Sequence, residues 1–205
     1  VVTSDAVDPT STRASTDAAT GARPVAVVVG PPGAGKTTVA AALADRLGVP
    51  FHDVDLAIEQ QQGRSISDIF VDDGEPVFRE LERDEVARAL AEQRGVLALG
   101  GGAVVTPETQ QALEGHVVVF LDVTIADASR RIGFDRSRPL LSVNPRASWT
   151  AMMNTRRPTY QQVATHRVDT AGRTPDEVVD AVLTALELTA RPDAPDAPDA
   201  PNDPA

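Results

Sequence analysis

The run Gly30-Pro31-Pro32-Gly33-Ala34-Gly35-Lys36-Thr37 limits what this chain can fold into more than any other stretch, because it satisfies G-x-x-x-x-G-K-[ST] without a mismatch. Before it stands Val25-Ala26-Val27-Val28-Val29, apolar and β-branched, which reads as a strand buried on both faces. After it, residues 38–47 are rich in helix formers, with Val39, Leu43 and Leu47 at four-residue spacing and Gly48 closing the run. Strand, glycine loop and helix in that order make a phosphate-binding unit. Gly30, Gly33 and Gly35 let backbone N–H groups approach the phosphates, and the helix N-terminus adds partial positive charge. Lys36 then reaches the β- and γ-phosphates, and the Thr37 hydroxyl is placed to ligate Mg²⁺.

The remaining chain alternates the two kinds of element. β-like runs recur at 49–55, 96–99, 117–122 and 167–170, and helical patterns at 56–62, 66–70, 75–93, 107–113, 124–132 and 147–164. Pro158 interrupts the last of these helices, while Met152 and Met153 read as packing residues. Thr174-Pro175-Asp176-Glu177 has the Thr and Glu of a capping box, with proline at the first helical position, and opens a final helix through Val178, Val182, Leu183 and Leu186. Five strands alternating with helices predict an α/β fold, a three-layer sandwich around a mainly parallel sheet.

Several groups stand where such a sheet binds its ligands, at the C-terminal ends of its strands. Asp53 and Asp55 close the second β-like run two residues apart, so a strand would point both to one side, although Asp55 equally suits the cap of the next helix. Gly100-Gly101-Gly102 ends the third run and implies either a close approach by a ligand or backbone, or a flexible loop. Residues 133–145 hold Gly, Pro, Ser and Asn around Arg136 and Arg138, which reads as a mobile lid over nucleotide phosphates or as a basic surface loop. Arg79, read alone, is a solvated charge paired with Glu75 or Glu82 at helical spacing. His52, His116 and His166 lie in or beside strands without an evident partner and are given no role.

Composition removes whole classes of function. A formal net charge of -11 argues against a general nucleic-acid binder, and the absence of cysteine excludes disulfides, zinc thiolate sites and thiol catalysis. No apolar run approaches the roughly 20 residues of a membrane-spanning helix. Residues 1–22 lack the basic start and apolar middle of a secretory signal, so a cytoplasmic enzyme is expected. Residues 1–23, and the acidic Pro-Asp-Ala repeat at 191–205, are expected to be disordered tails around one domain at 24–190.

Taken in order, the phosphate loop, Asp53-Val54-Asp55, Phe78-Arg79-Glu80-Leu81-Glu82, Gly100-Gly101-Gly102, Arg138-Pro139-Leu140-Leu141 and Arg156-Arg157-Pro158-Thr159-Tyr160 resemble the shikimate kinases, actinobacterial members most of all. The resemblance covers residues from about 24 to 189. It implies a fold like that of the nucleoside monophosphate kinases, with a helical substrate-binding region after the second strand and a lid. It also implies ATP and shikimate as partners, a single Mg²⁺, a monomer, and transfer of the ATP γ-phosphoryl group to the 3-hydroxyl of shikimate in aromatic amino-acid biosynthesis. By the same resemblance Lys36, Asp55 and Arg138 are catalytic, with Asp55 holding the ring hydroxyls. Nucleotide contacts fall to Gly33, Ala34, Gly35, Lys36, Thr37, Thr38, Arg131, Arg138, Arg173 and Pro175, and metal contacts to Thr37 and Asp53. Substrate contacts fall to Asp55, Arg79, Gly100, Gly101, Gly102 and Arg156, the two arginines clamping the carboxylate.

This chain departs from the pattern in two places. Ala98-Leu99 stands where a Walker B Asp would end the third strand, which shifts that task to Asp53, and Phe134-Asp135-Arg136 stands where relatives carry glycine and small polar residues. Two rival readings remain at this point: a kinase of another small metabolite such as gluconate, and a nucleotide-dependent binding protein that transfers no phosphate.

Overall fold

A computed structural model describes residues 23–132 and 145–189. The expected tails apart from Arg23, and the expected lid apart from Pro145, lie outside the described residues, as do Arg136 and Arg138.

The sheet is all parallel. Its strands are β1 (Ala26–Val29), β2 (Phe51–Asp53), β3 (Val96–Ala98), β4 (Val118–Asp122) and β5 (His166–Asp169), in the spatial order β2-β3-β1-β4-β5. Every residue of β1 and β4 is buried, as continuous Val-rich runs require when helices cover both faces of a sheet. Helix α1 (Lys36–Leu47) grows directly out of Gly35 and stops at Gly48, whose left-handed backbone returns an N–H to the carbonyls of Ala44 and Asp45.

Between β2 and β3 run α2 (Val54–Gln62), α3 (Ile66–Asp72) and α4 (Glu75–Glu92). After β3 come a short 3-10 turn (Ala103–Val105) and α5 (Pro107–Ala112), after β4 comes α6 (Ile125–Ile132), and α7 (Pro145–Val163) leads into β5. The expected capping box of Thr174 and Glu177 opens α8 (Pro175–Ala185), which packs beside α1.

One boundary and one expected helix break differ from expectation for a physical reason. The second strand ends at Asp53, because its carboxylate accepts the N–H groups of Asp55 (3.0 Å) and Leu56 (3.3 Å) and so starts the helix at Val54. Asp53, and not Asp55, is therefore the cap, and Asp55 lies in the first helical turn. Helix α7 runs unbroken through Pro158, since buried Trp149, Met153 and Tyr160 hold it to the body on both sides of the one backbone bond the proline removes.

At the N-terminal rim of the sheet the chain is stitched by backbone bonds, Val25 N–H to Gly95 carbonyl at 2.8 Å and Val96 N–H to Pro50 carbonyl at 2.9 Å. Arg23 adds a bond to the Gly115 carbonyl at 2.7 Å. His52 has a partner after all, the buried carboxylate of Glu85 on α4 at 2.8 Å, which also takes Gln61 and Arg88.

Candidate active site

Both glycine loops leave the C-terminal ends of neighbouring strands, β1 and β3, which pair in register from Ala26 with Val96 to Val28 with Ala98. In the first loop Gly33 and Gly35 have φ of 83° and 88°, and a Cβ on Gly30 would lie 2.7 Å from the Leu121 carbonyl oxygen. Only glycine fits those positions.

A cleft of about 660 Å³ opens over this loop. It is lined by Gly33 to Thr38 from the loop and α1, by Asp53, Asp55 and Gly101 at one end, and by Arg131, Arg173 and Pro175 at the other. Arg131 crosses from α6 to donate to the Thr170 carbonyl (2.8 Å) and Thr170 Oγ1 (3.1 Å), which places it beside the turn that carries Arg173 and Pro175. Every expected nucleotide residue among the described ones thus borders one cleft.

The Thr37 hydroxyl donates to Asp53 Oδ2 at 2.7 Å. The bond sets two hard oxygen atoms side by side at the foot of the loop. Among the described residues no cluster of three or more His, Asp or Glu side chains gathers a metal by itself. The donor set suits a small dication that takes the rest of its ligands from phosphate and water, as Mg²⁺ does.

At the Asp55 end, Arg79 and Glu82 lie one turn apart on α4 and bond at 2.6 Å, and Arg79 also reaches Glu75 at 3.0 Å. The ion pairing expected of Arg79 by helical spacing exists, but its partner Glu82 is almost wholly enclosed. Burial is the largest influence on Glu82 and pushes its carboxyl above the usual range, opposed by Arg79 and aided by the nearby Asp55 charge.

The outer two of the three glycines make room for these side chains. A Cβ on Gly100 would collide with Asp55 Oδ1 and stand 2.7 Å from Glu82 Oε1, and one on Gly102 would stand 2.7 Å from the central carbon of the Arg79 guanidinium. What comes close at Gly100 and Gly102 is side-chain charge, from Asp55, Glu82 and Arg79, whereas at Gly101 it is backbone, since a Cβ there would lie 3.5 Å from the Gly30 carbonyl oxygen and 3.5 Å from Pro32 N.

Helix α7 closes the arrangement from above. Arg156 Nη1 donates to the Gly101 carbonyl at 3.2 Å, and the Tyr160 hydroxyl donates to the same oxygen at 2.5 Å while its ring stacks on Phe120. Burial pushes the Tyr160 phenol up to about 12, so it stays a donor. From sequence Glu82 is an ion-pair partner of Arg79 and Tyr160 part of a motif, and neither is assigned to the site; the signal is their spacing, Glu82 three residues after Arg79 and Tyr160 four after Arg156.

Comparison with known proteins points one way. A family model described as shikimate kinase matches residues 32–187. The shikimate kinase of Thermobifida fusca (strain YX) is 53% identical over 171 residues, covering 83% of this chain and 98% of that protein. The shikimate kinase of Salinispora arenicola (strain CNS-205) is 55% identical over 163 residues, covering 80% and 98%. Among solved structures, shikimate kinase from Acinetobacter baumannii in complex with shikimate superposes with a TM-score of 0.75 at 34% identity, covering 79% of this chain and 91% of that one.

Proposed function

The chain belongs to the shikimate kinase family, and from that premise we propose that it transfers the ATP γ-phosphoryl group to the 3-hydroxyl of shikimate, giving shikimate 3-phosphate and ADP. The observation that carries this reading is the continuity of the cleft: Lys36 and Thr37 at the phosphate loop share it with Asp53, Asp55 and Gly101. A phosphoryl donor and a small acceptor bound in this one cleft would be neighbours.

Phosphoryl transfer passes through a loose transition state, so catalysis is chiefly positioning and charge neutralisation. Lys36 binds the β- and γ-phosphates, the loop N–H groups cradle them, and Arg131, Arg173 and Pro175 flank the adenine. Asp55 orients the acceptor hydroxyls and accepts the proton of the attacking one. Arg79 and Arg156 bind the shikimate carboxylate by charge-assisted bonds of about 1.5–3 kcal/mol each. Arg138 belongs to the same proposal as a phosphate-neutralising group. Thr37, with Asp53 behind it, would hold a single Mg²⁺, which would supply charge neutralisation at the phosphates.

We assign the activity to a domain spanning 24–190, working as a cytoplasmic monomer without nucleic acid or membrane. The family match at 32–187 and the near-complete coverage of the relatives support the domain bounds. Among the described residues no helix is long and apolar enough to cross a membrane. ADP release from ATP and Mg²⁺, measured with shikimate, with gluconate and with no acceptor, tests the assignment. Shikimate-dependent release is expected; release that ignores the acceptor overturns it.

A further inference from the structure

One side of α7 touches both glycine loops. Trp149, Met153, Arg156 and Tyr160 follow at intervals of four, three and four residues, which places them along a single helical stripe. At one end of that stripe the Trp149 indole, only 3% exposed, donates its Nε1–H to the Pro32 carbonyl at 3.1 Å. At the other end Arg156 and Tyr160 hold the Gly101 carbonyl. The two gripped residues also meet each other, since a Cβ on Gly101 would lie 3.2 Å from Pro32 Cδ. Pro32, Gly101 and the α7 stripe thus form a closed triangle, with the nucleotide loop at one corner and the acceptor loop at another.

From this triangle we infer that Trp149 is a positioning residue that sets the phosphate loop through Pro32 and links nucleotide affinity to occupancy of the acceptor side. A ligand bound through Arg156 fixes α7, α7 fixes the indole, and the indole fixes the carbonyl that orients the loop ahead of Gly33. A coupling of this kind is reciprocal, so nucleotide binding tightens the acceptor by the same factor. The inference rests on the proposed activity for its choice of acceptor.

The chain has a single tryptophan, so its emission reports this contact without any label. The experiment uses the full chain and measures ADP affinity with and without saturating shikimate, together with steady-state constants for wild type, Trp149→Phe and Trp149→His. Phenylalanine keeps a ring but removes the donor, whereas histidine carries Nε2 at the position of the indole nitrogen.

In the wild type, shikimate is expected to tighten ADP by roughly fivefold, a typical coupling factor. In Trp149→Phe the ATP KM is expected to rise roughly two- to tenfold, the worth of one neutral hydrogen bond, with kcat little changed and the effect of shikimate on ADP lost. Trp149→His is expected to recover part of both. A Trp149→Phe enzyme with unchanged ATP KM and unchanged coupling overturns the inference, because a residue that only packs alters melting and not that ratio.

Should the variants fail to fold, wild-type emission decides: a spectral shift on adding shikimate alone supports the link, and no shift at calorimetrically confirmed saturation removes it. Failure of the activity assignment looks different, since the wild type would then release no shikimate-dependent ADP at all.

Discussion

Glu82 and Glu85 stand one turn apart on α4, both buried, and their carboxyls are displaced in opposite directions. Burial dominates at Glu82 and raises it; at Glu85 burial also works against the charge, but hydrogen bonds from Arg88, Gln61 and His52 outweigh it and lower it. The first contribution to stability is therefore complete below about pH 4.3, the unfolded value, and is lost as pH rises through the raised folded value. The second is present above about pH 4.3 and is lost as pH falls through the depressed folded value. Urea unfolding across that range is expected to give a flatter decline toward neutral pH for Glu82→Gln. Glu85→Gln is expected to lose stability near neutrality and little in acid. Identical profiles for both variants would show that the two environments do not differ.

Asp53 serves two purposes that substitution can separate. Asn caps a helix about as well as Asp, so Asp53→Asn leaves α2 anchored while weakening the partner of Thr37. Titration of activity against Mg²⁺ is expected to show a loss of about 10- to 100-fold in apparent metal affinity or in kcat. Asp53→Ala adds about 1 kcal/mol of lost stability from the missing cap. Unaltered metal dependence in Asp53→Asn would confine Asp53 to capping.

Gly100→Ala forces a methyl group against Asp55 and Glu82. Overpacking of this kind costs roughly 1–3 kcal/mol, and here the displaced atoms include the carboxylate proposed to hold the acceptor. The shikimate KM is expected to rise at least about tenfold while the ATP KM stays within about twofold, a split that follows from local displacement. Equal rises in both constants would mean that the whole cleft has shifted.

Arg156→Ala and Tyr160→Phe share an acceptor atom, the Gly101 carbonyl, but differ in charge. Loss of Arg156 is expected to raise the shikimate KM by about 10- to 100-fold, as removal of a charge-assisted bond does. Tyr160→Phe is expected to cost about 1 kcal/mol in stability and to change that KM only a few-fold. Comparable KM effects from the two would argue that Arg156 acts only through Gly101 and not on substrate.

The architecture was legible because its evidence is local. An all-apolar β1, a glycine loop and a capped helix are each set by neighbouring residues, and their order leaves few topologies open. The charges at the acceptor end were less legible. Arg79 read as a surface ion pair because spacing along a helix gives its partners but not which side of the helix is covered. Gly100-Gly101-Gly102 announced a close approach without naming Asp55, Glu82 and Arg79 as what approaches, since those residues come from elements up to 45 positions away. The Trp149 contact with Pro32 spans 117 residues and leaves no periodic trace at all.

All strands run the same way, so the described residues proposed to touch substrate or cofactor gather at one end of the sheet, and the rim stitched by Gly95, Pro50, Gly115 and Arg23 holds none of them. Substitutions at the rim are therefore expected to act through folding, and those at the opposite end through turnover. For the same reason the rim is where a surface tether or fusion partner can be attached without throttling the enzyme.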